Sequence, residues 1–294
     1  MIAVAQKLEI LDAAAWPMRR AEHERRVEIW IAPRLRRCAL GQKHPVDDFL
    51  FEYYGYRPGL LRRWHPGIGV ALAGEAAREY LRFSGYTELD GLVTADPLRL
   101  SVTRRESIGW LAKFLRTTAS RAQQFGCAGM HEWAMVFRAD SVRHAAWPLR
   151  LSPAEIEDVV TRVGVRCTHY DAFRFFTPDA RPLNRRWLSR NTTLETEQRG
   201  CLHTNMDLYK WSQKLAPYAD SELIADCFEL AREAREIDMR ASPYDFSALG
   251  FASLAIETTA GRAEYESLQR SLADRAQPLR ARLAGVCERL LSTD

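Results

Sequence analysis

No two of the six cysteines in this chain of 294 residues are spaced as CxxC. Cys38, Cys127, Cys167, Cys201, Cys227 and Cys287 lie far apart, which argues against a zinc ribbon, a thioredoxin-like dithiol or a disulfide scaffold. No apolar run approaches the length of a membrane span, so no membrane partner is expected. The opening stretch MIAVAQKLEILDAAAWPMRR is broken by charges and lacks the apolar core of a secretory signal, so a cytoplasmic location is expected. P-loop, GxGxxG, GxSxG, HExxH and EF-hand patterns are missing, which sets aside the nucleotide, hydrolase, zincin and calcium classes those motifs define. Lysine is scarce beside arginine, a bias that a GC-rich genome would also give. There is no internal repeat and no low-complexity tract.

What is present describes an ordinary globular protein. The hydrophobic fraction is 47% and the formal net charge is +4. Such a mild basic balance does not by itself imply nucleic-acid binding. The length suits a single large domain over 1–294, with 1–43 as a candidate minor helical lobe. The expected fold class is α+β, predominantly α-helical with a few short strands. Residues 105–125 place Ile108, Leu111, Phe114 and Leu115 on one helical face. Ser152, Pro153 and Glu155 spell a capping box that opens a helix ending at Gly164. VRCTHYDAFRFF, 165–176, reads as a strand, and 178–200 as a long polar loop. Helices are expected on either side of Pro217 and over 262–291.

LLRRWHPGIGVALAGEAAREYLRF, 60–83, has the pattern of two helices around a Pro-Gly turn. In a helix-hairpin-helix element the glycines allow a tight turn whose N–H groups approach a DNA phosphate. On that reading Arg57, Arg62, Arg63, Gly67 and Gly69 contact DNA, and Asp90 is the nearest downstream aspartate. The alternative is a plain helix-breaking turn.

Three stretches set histidine beside carboxylate: HEW at 131–133, THYDAF at 168–173 and LHTNMDLYKW at 202–211. His169 and Asp171 share a face if extended, and His203 and Asp207 share a face on a helix. Such pairs serve as an oriented general base, as part of a two-His, one-carboxylate metal site, or as buried structural couples. Asp207, His203, Asp171, His169 and Glu132 are therefore the candidate catalytic residues. Trp133, Tyr170, Tyr209, Arg240, Tyr244 and Asp245 are the candidate substrate-binding set, since aromatic walls with a few polar groups suit a flat ligand. Asp238 joins the last three as a residue that REIDMRASPYD would deliver into a turn.

The blocks HPVDDFLFEYYGYRPGLLRRWHPG, HEWAMVFR, RCTHYDAFRFFTPDARPLN, GCLHTNMDLYKW and DCFELAREAREIDMRASPYD resemble an actinobacterial family commonly labelled 3-methyladenine DNA glycosylase. The resemblance runs from about residue 44 to about residue 290. It implies hydrolysis of the N-glycosidic bond of alkylated purines in DNA, with no cofactor, and does not locate the catalytic residues. A carboxylate such as Asp207 or Asp171 would then stabilise the sugar cation or activate water. A second reading is an enzyme acting on a small molecule, with a metal as an option, whose His/carboxylate pairs surround an aromatic pocket. A third is a helical scaffold in which the pairs are structural.

Overall fold

The computed structural model describes residues 8–142 and 144–292. Helix accounts for 58% and strand for 6%, so the fold is the mostly helical α+β class expected. The chain divides into two compact units. Unit 1 comprises Met1–Arg116, Leu208–Glu229 and Pro278–Asp294, and unit 2 comprises Thr117–Asp207 and Leu230–Gln277.

Unit 1 opens with β1 (Glu9–Leu11) and the long α1 (Ala15–Ala39). Trp16, His23, Val27, Trp30 and Ile31 recur at helical spacing and are the buried stripe of α1. Two short helices follow, α2 (Phe49–Tyr54) and α3 (Pro58–Arg62). Asp48, just before α2, is buried and held by Arg34 at 2.8 Å and by Arg37. The sheet is completed by β2 (Val70–Leu72), β3 (Tyr86–Leu89) and β4 (Leu92–Ala95). Its order is β1-β2-β4-β3, with β1 parallel to β2 and the other pairs antiparallel. Asp90 and Gly91, at φ 51° and 77°, form the tight turn between β3 and β4.

Helix α4 (Val102–Ser120) buries Ile108, Leu111, Phe114 and Leu115, the face read from the sequence. Phe228 anchors the aromatic core of unit 1, with ring centroids 4.9 Å from Tyr209, 5.1 Å from Trp30 and 5.3 Å from Phe51.

Unit 2 contains the short α5 (Met130–Ala134), α6 (Pro153–Val163), α7 (Tyr170–Phe173) and α8 (Thr193–Thr196). It also contains parts of α9 (Leu202–Leu215), α10 (Ser221–Arg240) and α11 (Thr259–Leu291). Helix α6 carries the full Ser152/Glu155 capping box and ends at Gly164.

Three local expectations are corrected. Pro66–Gly69 leads into β2, and the second helical segment, a 3-10 helix over Glu75–Arg82, comes only after that strand, so the two helices do not flank the turn as a hairpin element requires; Ile68 N donates instead to Tyr218 O at 2.8 Å. Residues 165–176 are not a strand: beyond a single bridge from Val165 to Asn184 they turn into α7, with His169 as its N-terminal flanking residue. Asp238 lies in the last turn of α10 and not in the turn that follows.

Candidate metal centre and cavity

The polar residues of unit 2 converge because each is fixed by backbone geometry. Helix α5 starts from Gly129 at φ 75°, where an added Cβ would lie 3.1 Å from Ala241 Cβ, so glycine alone suits the position. Trp133 Nε1 donates to Ala241 O at 2.9 Å and ties α5 to the chain just past α10. This sets His131 and Glu132 of α5 against Arg235 and Asp238, which are three apart and share a face of α10. His203 arrives on the first turn of α9, and His169 at the start of α7.

Asp238 is the hub. Its Oδ1 lies 2.5 Å from His131 Nε2, and its Oδ2 lies 3.0 Å from Arg235 Nη1 and 3.8 Å from His203 Nε2. Asp238 has no exposed surface, and His131 is 2% exposed. The His131 and His203 rings meet edge to face with centroids 4.5 Å apart. His169 stacks on His203 at 5.3 Å, and its Nδ1 lies 2.8 Å from Glu197. Glu197 also accepts a hydrogen bond from Thr204 Oγ1. On the far side of the His131 ring, Nδ1 lies 3.4 Å from Cys127 Sγ. Arg235 Nη1 also reaches Glu132 at 3.3 Å.

Ionisation follows from this crowding. Burial alone would lower the His131 pKa, but the charges of Asp238 and then Cys127 outweigh it and hold it well above the usual imidazole value. Burial and the neighbouring His131 push His203 well below that value. Burial would raise Asp238, yet His131 and the other cations hold it below the usual carboxylate range. Glu132 is raised, first by burial and then by the charge of Asp238. The hydrogen bond from Cys167 and the adjacent His131 lower the Cys127 thiol despite its burial.

Among the described residues three groups bring their ligand atoms within 4.8 Å of one another: His131, His203 and Asp238; His169, Glu197 and Cys201; and His169, Asp171 and Asp207. The first supplies two imidazole nitrogens and a carboxylate, a donor set suited to divalent iron, zinc or manganese. It also has the outer partners that metal ligands need, since Cys127 faces the second nitrogen of His131 and Arg235 holds the second oxygen of Asp238. His131 and His203 line a cavity of about 440 Å³, which also touches Cys127, Arg166, Cys201 and Gln269. That volume is in the range of small-molecule sites.

Of the candidate catalytic residues, His203, His169, Asp171, Asp207 and Glu132 all lie in or beside this cluster. His169 and Asp171 group together, as read along the chain, and Asp207 joins them; His203 feels the charge of Asp207 and also faces Asp238, which lies on another helix. Of the candidate substrate-binding residues, Trp133 and Tyr244 are buried in the packing of unit 2, and Tyr209 in that of unit 1. Tyr170 is half-buried at the start of α7. Arg240 donates to Ala252 O, and Asp245 accepts from Ser247 N, both local loop contacts. Arg57, Arg62, Arg63, Gly67 and Gly69 belong to unit 1. There Arg62 pairs with Glu28, Arg63 covers the Phe83 ring at 4.1 Å, and a Cβ added at Gly67 would lie 3.0 Å from Asp220 N.

Sequence reasoning missed Glu197 and the cysteines Cys127, Cys167 and Cys201, and did not give Asp238 a place in the site. The cysteines are brought together only by the fold. Asp238 carried one available signal, its three-residue spacing from Arg235 on a helix. No family model, curated protein or solved structure matches the chain. No helix among the described residues is long and apolar enough to cross a membrane.

Proposed function

We propose that the chain is a metal-dependent enzyme acting on a small molecule, with His131, His203 and Asp238 as the metal ligands. The observation that carries this reading is the convergence of two imidazoles and a carboxylate, with His131 and Asp238 buried and His203 half-buried, at the wall of a cavity. Metal binding there displaces the proton that Asp238 and Cys127 hold on His131. A divalent ion there supplies a Lewis acid beside the substrate. His169 is our candidate general base, because Glu197 at 2.8 Å fixes its ring. Glu132 and Arg235 keep Asp238 in place.

Base excision on alkylated DNA, which the family resemblance implies, has less support from these residues. Of Trp133, Tyr170 and Tyr209, the aromatic residues offered for stacking a base, Trp133 and Tyr209 are core residues and Tyr170 is half-buried, and two of the three phosphate-contact arginines are engaged elsewhere. A different reading is favoured by one observation. Cys127 Sγ, His131 Nδ1 and Nε2, and Asp238 lie in the order of a nucleophile, its base and an orienting carboxylate.

Elemental analysis of the purified protein, before and after reloading with iron, zinc or manganese, tests the proposal. About one equivalent of metal is expected in the wild type, with loss in His203→Gln and retention in Cys127→Ser. A protein that stays metal-free after reloading overturns it; activity that is then abolished by Cys127→Ser would establish the thiol reading. Release of free base from alkylated duplex DNA by metal-free protein would establish the glycosylase reading.

A further inference from the structure

The cavity beside the metal ligands has a charged rim and a buried polar floor, and together they define the substrate. Arg166, Arg185 and Arg186 all line it. They reach one rim because the segments that carry them are stitched together. Val165 and Asn184 form a parallel bridge, and Arg185 N donates to Val165 O at 3.0 Å. The Asn184 side chain accepts from Cys167 N at 2.8 Å and donates to Cys167 O and Arg186 O. Gly126 allows Arg166 to pass, since a Cβ there would lie 3.3 Å from Arg166 Cδ. Other arginines of unit 2 are matched with acids, as in Arg150–Glu257 and Arg275–Glu233. None of Arg166, Arg185 and Arg186 pairs with a carboxylate among the described residues. Three guanidinium groups at one cavity rim without a counter-ion favour an anionic ligand.

The floor adds a second requirement. Gln198 is locked, because its Oε1 accepts from Gln124 N and Gly200 N while its Nε2 donates to Gln124 O. Gln269 is 1% exposed and lines the same cavity. Its Nε2 donates to Gly200 O at 2.7 Å, which fixes the amide orientation. Its Oε1 is then a buried acceptor with no hydrogen-bond partner. A buried polar atom left without a partner costs about 1–3 kcal/mol, so one lining a cavity marks where a ligand donor belongs.

We propose that the cavity takes a small anionic molecule whose phosphate or carboxylate group is held by Arg166, Arg185 and Arg186 and whose O–H or N–H group donates to Gln269 Oε1. The proposal deepens the small-molecule reading above and rests on it for the chemistry, but its binding can be measured without the metal.

The experiment is calorimetric titration of chelator-treated, metal-free full-length protein with four probes: glycerol 3-phosphate, propyl phosphate, glycerate and propionate. The hydroxylated member of at least one pair should bind tighter by roughly fivefold, the worth of one hydrogen bond. Phosphates binding ahead of carboxylates would identify the anion as phosphate, and the reverse order as carboxylate. Replacing all three exposed arginines by alanine should weaken the preferred anion by about tenfold or more. In Gln269→Leu the hydroxyl advantage should vanish while the plain anion still binds. Failure of all four probes to bind the wild type, or equal affinity of wild type and the triple-arginine variant, overturns the anion site. Equal binding within both pairs by the wild type overturns the part given to Gln269. Because the protein is metal-free throughout, these results stand apart from the metal content that tests the reading above.

Discussion

Both units bury histidine, but they do so in opposite ways. In unit 1, His23 Nε2 meets Leu61 O at 2.8 Å and His65 Nδ1 meets Tyr86 Oη at 2.9 Å. Each ring has a neutral partner, and burial lowers the pKa of both. In unit 2, His203 contacts both His131 and His169, and the three face Asp238 or Glu197. The first arrangement minimises buried charge and is what a stable core requires. The second concentrates charge where a core would avoid it. A buried histidine is therefore no sign of a site by itself; convergence of several on shared carboxylates is.

The sharpest way to break the comparison is Asp238→Asn. It leaves Arg235 and His131 without their shared carboxylate, and breaking a buried pair of this kind costs about 3–5 kcal/mol. Denaturant unfolding should show that loss, and metal analysis should show an empty protein. In unit 1, Phe228→Ala should cost about 3–5 kcal/mol through the cavity it opens. It should leave the metal content at the wild-type level, so stability and metal binding would separate between the two units.

Acid unfolding sharpens the contrast further. Burial holds His65 at about 3, against the ordinary 6.5, so the folded state keeps it neutral while the unfolded chain takes up a proton. Its contribution is complete above pH 6.5 and is lost as the pH falls toward 3, at up to about 1.4 kcal/mol per pH unit. His65→Gln should flatten that part of a stability-against-pH curve. The smallest effect expected is that of Ser152→Ala. Loss of the α6 cap should cost about 1 kcal/mol, read from thermal unfolding, with metal content unchanged.

How far the sequence spoke depended on the range of the interaction. Local signals were reliable: the capping box at Ser152 and Glu155, and the apolar face of α4. The Pro66–Gly69 turn misled because a Pro-Gly pattern specifies a turn and not the element that follows; β2 forms there by pairing with β1 and β4, contacts remote in sequence. VRCTHYDAFRFF looked extended because of its β-favouring residues, yet its backbone folds into α7 under tertiary contacts. At the site, the three histidines were legible as residues flanked by acids. Their partners on remote segments were not. Asp238 reaches His131 across 107 positions and Glu197 reaches His169 across 28, distances no periodicity spans. The three cysteines, separated by 40 and 34 residues, were invisible for the same reason.

The most direct test of the account is an anomalous-scattering map from crystals of the protein reloaded with iron or zinc. The account predicts one strong peak at about 2.0–2.2 Å from His131 Nε2, His203 Nε2 and an Asp238 oxygen. A fully loaded solution sample whose crystals show no peak at these three residues, or a peak only elsewhere, would contradict it.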